Sequence, residues 1–295
     1  MTVVDMLTEL GGVATRSQLI RATSRAEVDR AVAEGGVTVL ARGRYALEGA
    51  DAAVAAAHRL SGAVTHLSAA MRHGWQVRLP PERPQVAVPH NRKLVAGAAA
   101  GVDLHRARLG ADDVSDGVTS QERTLLDCLR SDHLGDALCV ADSALRDGFP
   151  APRMAALARD ARGPGSRQVR RVAALADSRA ESALESALRA IAIEVPALEV
   201  VPQTSLREGS RFLGRPDLVD ERLGIILEAD SFAWHGDRAA LHRDARRYNQ
   251  FAARGWLVLR FSWEDVILNP RLVAEVLTLA VAERTKRGLC PTCAA

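Results

Sequence analysis

The sequence predicts a multi-domain α/β protein, and three observations carry that expectation. Helix-period and strand-period stretches follow one another along the chain, separated by Gly- and Pro-rich breaks. A chain of 295 residues is long enough for two or three domains, each with its own core. Residues 215–236, RPDLVDERLGIILEADSFAWHG, join an apolar strand-like run to five carboxylates and a histidine.

Residues 1–48 open with VVDMLTEL, a helix closed by Gly11 and Gly12. A second short helix starts at Thr15 or Ser17. A third follows Ser24 as N-cap, with Glu27 at capping-box spacing and Gly35-Gly36 as its stop. VTVLARGRYAL then alternates about a Gly-Arg turn, as a β-hairpin does. Three helices and a two-stranded wing are the order of a winged helix-turn-helix, whose second paired helix enters the major groove. Arg25 and Arg30 lie on that helix, and Arg42 and Arg44 tip the wing, where cations suit phosphate contacts. A charged protein-binding module has the same pattern, and six arginines here face six acids, so any electrostatic footprint is local.

LGGVATRSQL and VLARGRYAL resemble the N-terminal region of the abortive-infection type IV antitoxin (AbiEi-like) family. The resemblance implies a DNA-binding winged helix used in repression, followed by an antitoxin-like domain.

Residues 49–150 read as a middle α+β domain. DAAVAAAHRL and THLSAAMRHGW are helical, RPQVAVP and GVDLHRARL are strands, and TSQERTLLDCLR and LGDALCVADSALRDG are helices, the first capped by Ser120. His58, His66, His73, His90 and His105 are scattered without metal-ligand spacing on one helix. Residues 151–176 form a basic linker, broken by GPGS, in which six arginines accompany one Asp. It serves equally as a salt-sensitive arm on nucleic acid or as two solvated helix ends.

Residues 177–287 carry the chemistry. SRAESALESALRAI is an amphipathic helix with Glu181 and Glu185 one turn apart. ALEVVPQTSL, RFLGRPDLVD and RLGIILEAD read as three strands, DRAALHRDARRYNQFAARG as a helix ended by Gly255, and WLVLRFSW as a fourth strand. Pro270 opens a last helix at its preferred first position. The order is α-β-β-β-α-β. Period two puts Ile226, Glu228 and Asp230 on one face of the third strand and Ile225, Leu227 and Ala229 on the other. An antiparallel neighbour brings Asp217 alongside. Like charges so gathered are unfavourable without a cation, and Mg²⁺ takes one or two carboxylates, waters and phosphate oxygens. A salt-bridge network is the competing account.

SALES, RPDLVD, IILEADSFAWHG and RDARRYNQFAARGWLVLRFSWEDV resemble the PD-(D/E)XK nuclease superfamily, in its very-short-patch-repair (Vsr-like) endonuclease branch. The resemblance implies a restriction-endonuclease-like domain binding Mg²⁺ or Mn²⁺ through Asp217, Glu228 and Glu185, with Glu181 as a rival of Glu185. Asp230 stands where the superfamily has the lysine that handles the attacking water. His235, or else His242, would take that role. Arg246 and Arg247 would bind phosphate, and Arg247 and Arg260 could instead pair with the carboxylates.

The expected function is therefore a metal-dependent DNA endonuclease brought to its substrate by the winged helix. The alternative is a non-enzymatic, antitoxin-like transcriptional regulator with an inactive nuclease fold. RNA is not excluded as substrate, because phosphate contacts do not distinguish sugars. Composition adds little. Lys93 and Lys286 are the only lysines among 39 basic residues, a bias that suits phosphate but that a GC-rich genome also produces. No secretory pattern opens the chain and no apolar run reaches the roughly 20 residues that span a bilayer, so a cytoplasmic protein without a membrane partner is expected. Cys290 and Cys293, in a tail at 288–295, are half a zinc site. A terminal thiol pair and a metal shared between chains, as in a homodimer, both remain open.

Overall fold

The computed structural model describes residues 1–230 and 238–287, with backbone alone for 238–244 and 287. The chain is a mixed α/β protein that divides into two compact units, residues 1–74 with 79–128, and 75–78 with 129 onward.

The first unit begins with α1 (Val3–Glu9), capped by Thr2 in a reciprocal box with Asp5. Gly11 and Gly12, at φ +76° and +90°, turn the chain into β1 (Val13–Thr15), and Thr15 caps α2 (Arg16–Ala22). After α3 (Arg25–Ala33), capped by Ser24, come β2 (Thr38–Ala41) and β3 (Arg44–Ala46). The expected two-stranded hairpin is thus a three-stranded sheet in the order β1-β3-β2. Leu7, Ala14, Leu19, Val28 and Tyr45 close a small core beneath it. Next are α4 (Ala52–Leu60), β4 (Ala63–Val64), α5 (His66–Arg72), β5 (Gln85–Pro89), β6 (Asp103–Ala107), β7 (Val114–Ser115), β8 (Val118–Thr119) and α6 (Gln121–Cys128). Their strands form one sheet in the order β6-β5-β4-β8-β7, covered by Val54, Ala57, Leu60 and Ala69.

The second unit starts earlier than the sequence implies. A boundary was expected at residue 150, but α7 (Leu134–Arg146) belongs with the C-terminal elements, because its apolar face and Asp142 pack on the helix that carries Glu185. The expected linker is also structured. Its residues form α8 (Ala151–Asp160) and α9 (Ser166–Leu175), broken between Arg162 and Gly165, and bury Met154, Ala158, Val169 and Val172. Such burial outweighs the solvated character of the arginines on their outer faces.

Then follow α10 (Ala183–Ile193), β9 (Val201–Pro202), β10 (Leu206–Glu208), β11 (Arg211–Gly214), β12 (Leu218–Asp220), β13 (Ile225–Asp230), α11 (Arg238–Ala252), β14 (Leu257–Ser262), α12 (Trp263–Leu268) and α13 (Pro270–Arg287). The run expected as a single second strand is split. β11 pairs with β10 in a separate hairpin, while β12 joins the main sheet, ordered β14-β13-β12-β9. Gly214 ends β11 against Phe251, whose ring would lie 2.8 Å from any added Cβ, so only glycine fits there. β12 is antiparallel to β13 and to β9, and β14 is parallel to β13. α12, a turn and a half capped by Ser262 and Asp265, intervenes before Pro270.

The period-two expectation for β13 holds. Ile225 and Leu227 face α10, α12 and α13, and Ile226 faces Phe251 of α11. Both faces are therefore buried, and each of these side chains contributes about 1.5–3 kcal/mol by leaving water. That framework is stable enough to hold an acid at Glu228 inside it.

Candidate functional site

The register Leu218↔Leu227 sets Asp217, one residue ahead of β12, across from Glu228 on β13. Asp217 is locked by two backbone bonds. Its Oδ2 accepts the Ala229 N–H at 2.8 Å, and its carbonyl accepts the Gln203 N–H at 2.9 Å. Glu228 is 4% exposed, and its Oε1 is buried with no hydrogen-bond partner among the described residues. Arg247 of α11 brings Nη2 to 3.5 Å from that oxygen, an ion-pair distance without hydrogen-bond geometry.

Burial first, and then the charge of Asp217, push the Glu228 carboxyl up to about 8, against the pull of Arg247. Burial likewise raises Asp217 to about 6, helped by Glu185 and opposed by the Ala229 hydrogen bond. Burial and mutual repulsion thus disfavour two charges on this pair near neutral pH.

The other expected acids have different partners. Asp230 is half-buried and bonds Arg260, its oxygen 2.9 Å from Nη2. Arg260, opposite Glu228 in the parallel register, also stacks on Tyr248 at 4.4 Å, and Arg247 lies 5.0 Å from the same ring. Glu185 is buried at the third position of α10, where Ser182 caps the helix. Its Oε1 accepts Ser182 Oγ at 3.0 Å, and its Oε2 accepts the Glu181 N–H at 2.8 Å and Gln203 Nε2 at 3.0 Å. Glu181 lies outside the helix, exposed, and pairs with Arg215. Of the two rivals, Glu185 alone touches the Asp217 neighbourhood, through Gln203.

Arg246 is exposed on α11. His235 lies outside the described residues, as do Cys290 and Cys293, and the side chain of His242 is not among those described. In the first unit Arg25, Arg30 and Arg42 are exposed, whereas Arg44 is half-buried with Nη1 3.3 Å from His58 Nδ1. Arg44, expected as a surface cation at a wing tip, is therefore partly buried at the start of β3.

Sequence reasoning missed Gln203 and Tyr248. Gln203 follows Pro202 at the end of a two-residue strand and has no periodic pattern to announce it. Tyr248 does have a signal, as an aromatic residue directly after two arginines.

The chemistry of this arrangement is that of hard oxygen donors. Among the described residues no group of three or more His, Cys, Asp or Glu is arranged to hold a metal ion. A pair suffices for Mg²⁺ or Mn²⁺, which bind through one or two carboxylates and keep their waters. Glu228 Oε1, without a donor among the described residues, fits that need, since a cation would supply the missing contact. Asp217 and Glu228 are the residues that would hold it.

Fold and site together define a mixed α/β protein with two carboxylates, Asp217 and Glu228, facing each other across the β12–β13 register. In comparison with known proteins, no family model matches the chain, and no curated protein matches it either. No helix among the described residues is long and apolar enough to cross a membrane.

Proposed function

We propose that the chain is a divalent-metal-dependent endonuclease that hydrolyses DNA phosphodiester bonds. The observation that carries this is the Asp217–Glu228 pair, a half-buried and a buried acid across one antiparallel register, with Glu228 Oε1 unbonded among the described residues. Holding Glu228 inside the otherwise apolar interior of β13 costs several kcal/mol, and acids kept at such a cost cluster at functional sites. The surrounding order, α10 and four strands β14-β13-β12-β9 with α11 on the opposite face, supports a restriction-endonuclease-like domain. In the first unit, α1-β1-α2-α3-β2-β3 supports a winged helix that meets duplex DNA through Arg25 and Arg30.

Bound to Asp217 and Glu228, a divalent cation supplies a Lewis acid and a more acidic water. The chain's own residues do the rest. Arg247, beside Glu228, offers positive charge for a phosphate oxygen. Arg260 restrains Asp230 through its ion pair. Gln203 and Glu185 support Asp217 from below.

The test is incubation of purified protein with nicked, mismatched, single-stranded and duplex DNA in Mg²⁺ or Mn²⁺. Cleavage is expected in the wild type and lost in Asp217→Asn and Glu228→Gln. Activity unchanged in both variants rejects the assignment.

A non-enzymatic DNA-binding regulator is favoured by one observation: Arg247 and Arg260 already face Glu228 and Asp230 and balance part of their charge. Calorimetry decides between the two. No Mg²⁺ uptake at millimolar concentration supports the regulator.

A further inference from the structure

We infer that Gln203 is a positioning residue of the carboxylate site: its side-chain amide ties Glu185 to Asp217 and sets the orientation in which Asp217 meets a metal. The inference rests on the proposed cation site and names a residue that no motif marks. The register Pro202↔Leu218 brings Gln203 beside Asp217, and the backbone seals the contact through Gln203 N–H to Asp217 carbonyl at 2.9 Å. The side chain then spans two elements. Nε2 lies 3.0 Å from Glu185 Oε2 on α10 and 3.4 Å from Asp217 Oδ1 on the sheet.

Both neighbours are acceptors when ionised, so the group between them must be a double donor. An amide NH₂ provides two N–H groups and no charge. A lysine there would cancel one of the acids, and a third acid would repel both. The amide thus holds two carboxylates close while leaving their charge for a cation.

The backbone reinforces the assignment. Gln203 has φ +54°, a left-handed conformation that is uncommon for a residue with a long side chain. Such conformations cost on the order of 1 kcal/mol or more and persist where the surroundings over-determine them. Here that conformation falls at the end of β9, where the amide reaches Glu185 and Asp217. Partners that orient metal-binding side chains in this way typically govern metal affinity by about 10–100-fold.

The experiment is Mn²⁺ titration of the full chain by calorimetry, with thermal melting in EDTA alongside, for wild type, Asp217→Asn, Gln203→Leu and Gln203→Asn. Asparagine is the informative variant. It tolerates the left-handed backbone better than glutamine, so folding is retained, yet it is one methylene too short to reach Glu185. Expected are an Asp217-dependent Mn²⁺ site in the wild type and affinity about 10–100-fold weaker in Gln203→Asn. Wild-type affinity in Gln203→Asn overturns the inference and leaves the metal site standing, even if the melting temperature falls. A wild type whose Mn²⁺ uptake is absent, or indifferent to Asp217→Asn, overturns the site and the inference together.

Discussion

Glu228 makes the residue-scale chemistry testable without any substrate. Its carboxyl, with Asp217's, titrates above the unfolded range because the folded state favours the neutral form. The native state then binds more protons than the unfolded chain, so metal-free stability falls as pH rises from about 4, where unfolded carboxylates ionise, to about 8. Glu228→Gln removes the charge and keeps the shape. It is expected to stabilise the metal-free second unit at pH 8 by roughly 2–4 kcal/mol and to flatten that slope, as urea unfolding at pH 5 and pH 8 will show. A variant less stable than wild type at pH 8 contradicts the raised carboxyl.

His66 behaves in the opposite sense. It stacks on His105 with ring centroids 3.8 Å apart, and burial, then the neighbouring His105, lower its imidazole to about 4. Asp127 and Arg123 are the other charged groups that act on it, pulling in opposite directions. The unfolded chain therefore takes up a proton below about 6.5 that the folded unit refuses until about 4, and stability is lost across that window as pH falls. Melting of the first unit is expected to drop between pH 7 and pH 4.5. His66→Asn, which suits the left-handed backbone at φ +49°, should reduce the drop, and an equal drop in the variant assigns it to other groups.

At the scale of elements, α10 is held from both ends of the problem. Ser182 caps it and orients Glu185, bonding the backbone N–H of Glu185 at 3.2 Å and its Oε1 at 3.0 Å. The sequence places SALES inside an amphipathic helix, and the structure starts that helix at Ala183 with Ser182 as its cap. A clamp on the opposite face has no local sequence signal. Arg189 of α10 bonds both oxygens of Asp142 on α7 at 2.7 Å, and both side chains are buried. Asp142 also accepts Ser186 Oγ and the Asp177 N–H. Asp142→Ala would strand the arginine, with an expected cost of about 3–5 kcal/mol measured by denaturant unfolding. A loss below about 1 kcal/mol would mean that water reaches Arg189. No local pattern marks this pair, because 47 residues separate its members.

At the scale of the whole molecule, the two compact units carry separable roles in the proposed function. Arg25 and Arg30 belong to the first and the acid pair to the second. Replacing both arginines by alanine should weaken duplex binding and lower the salt slope by about two counterions. Mn²⁺ affinity should stay at the wild-type level. Duplex affinity unchanged across a salt titration would remove α3 from the DNA-binding surface.

What the amino-acid order determined by itself was local. The cap at Ser24, the stop at Gly11-Gly12, and the two-residue period of β13 all depend on neighbours within a turn or a pleat. From that period alone Ile226 and Glu228 shared a face, and Asp217 was placed alongside. The tertiary structure decided everything that depends on distant chain meeting at that face. Phe251 of α11 covers Ile226, Arg247 reaches Glu228, Arg260 captures Asp230, and α7 joins the second unit through Asp142. Gln203 becomes part of the site only because β9 pairs with β12. A carboxylate's pKa follows from how much water and which charges surround it. Those surroundings are assembled by packing between elements far apart in sequence, which no local period encodes.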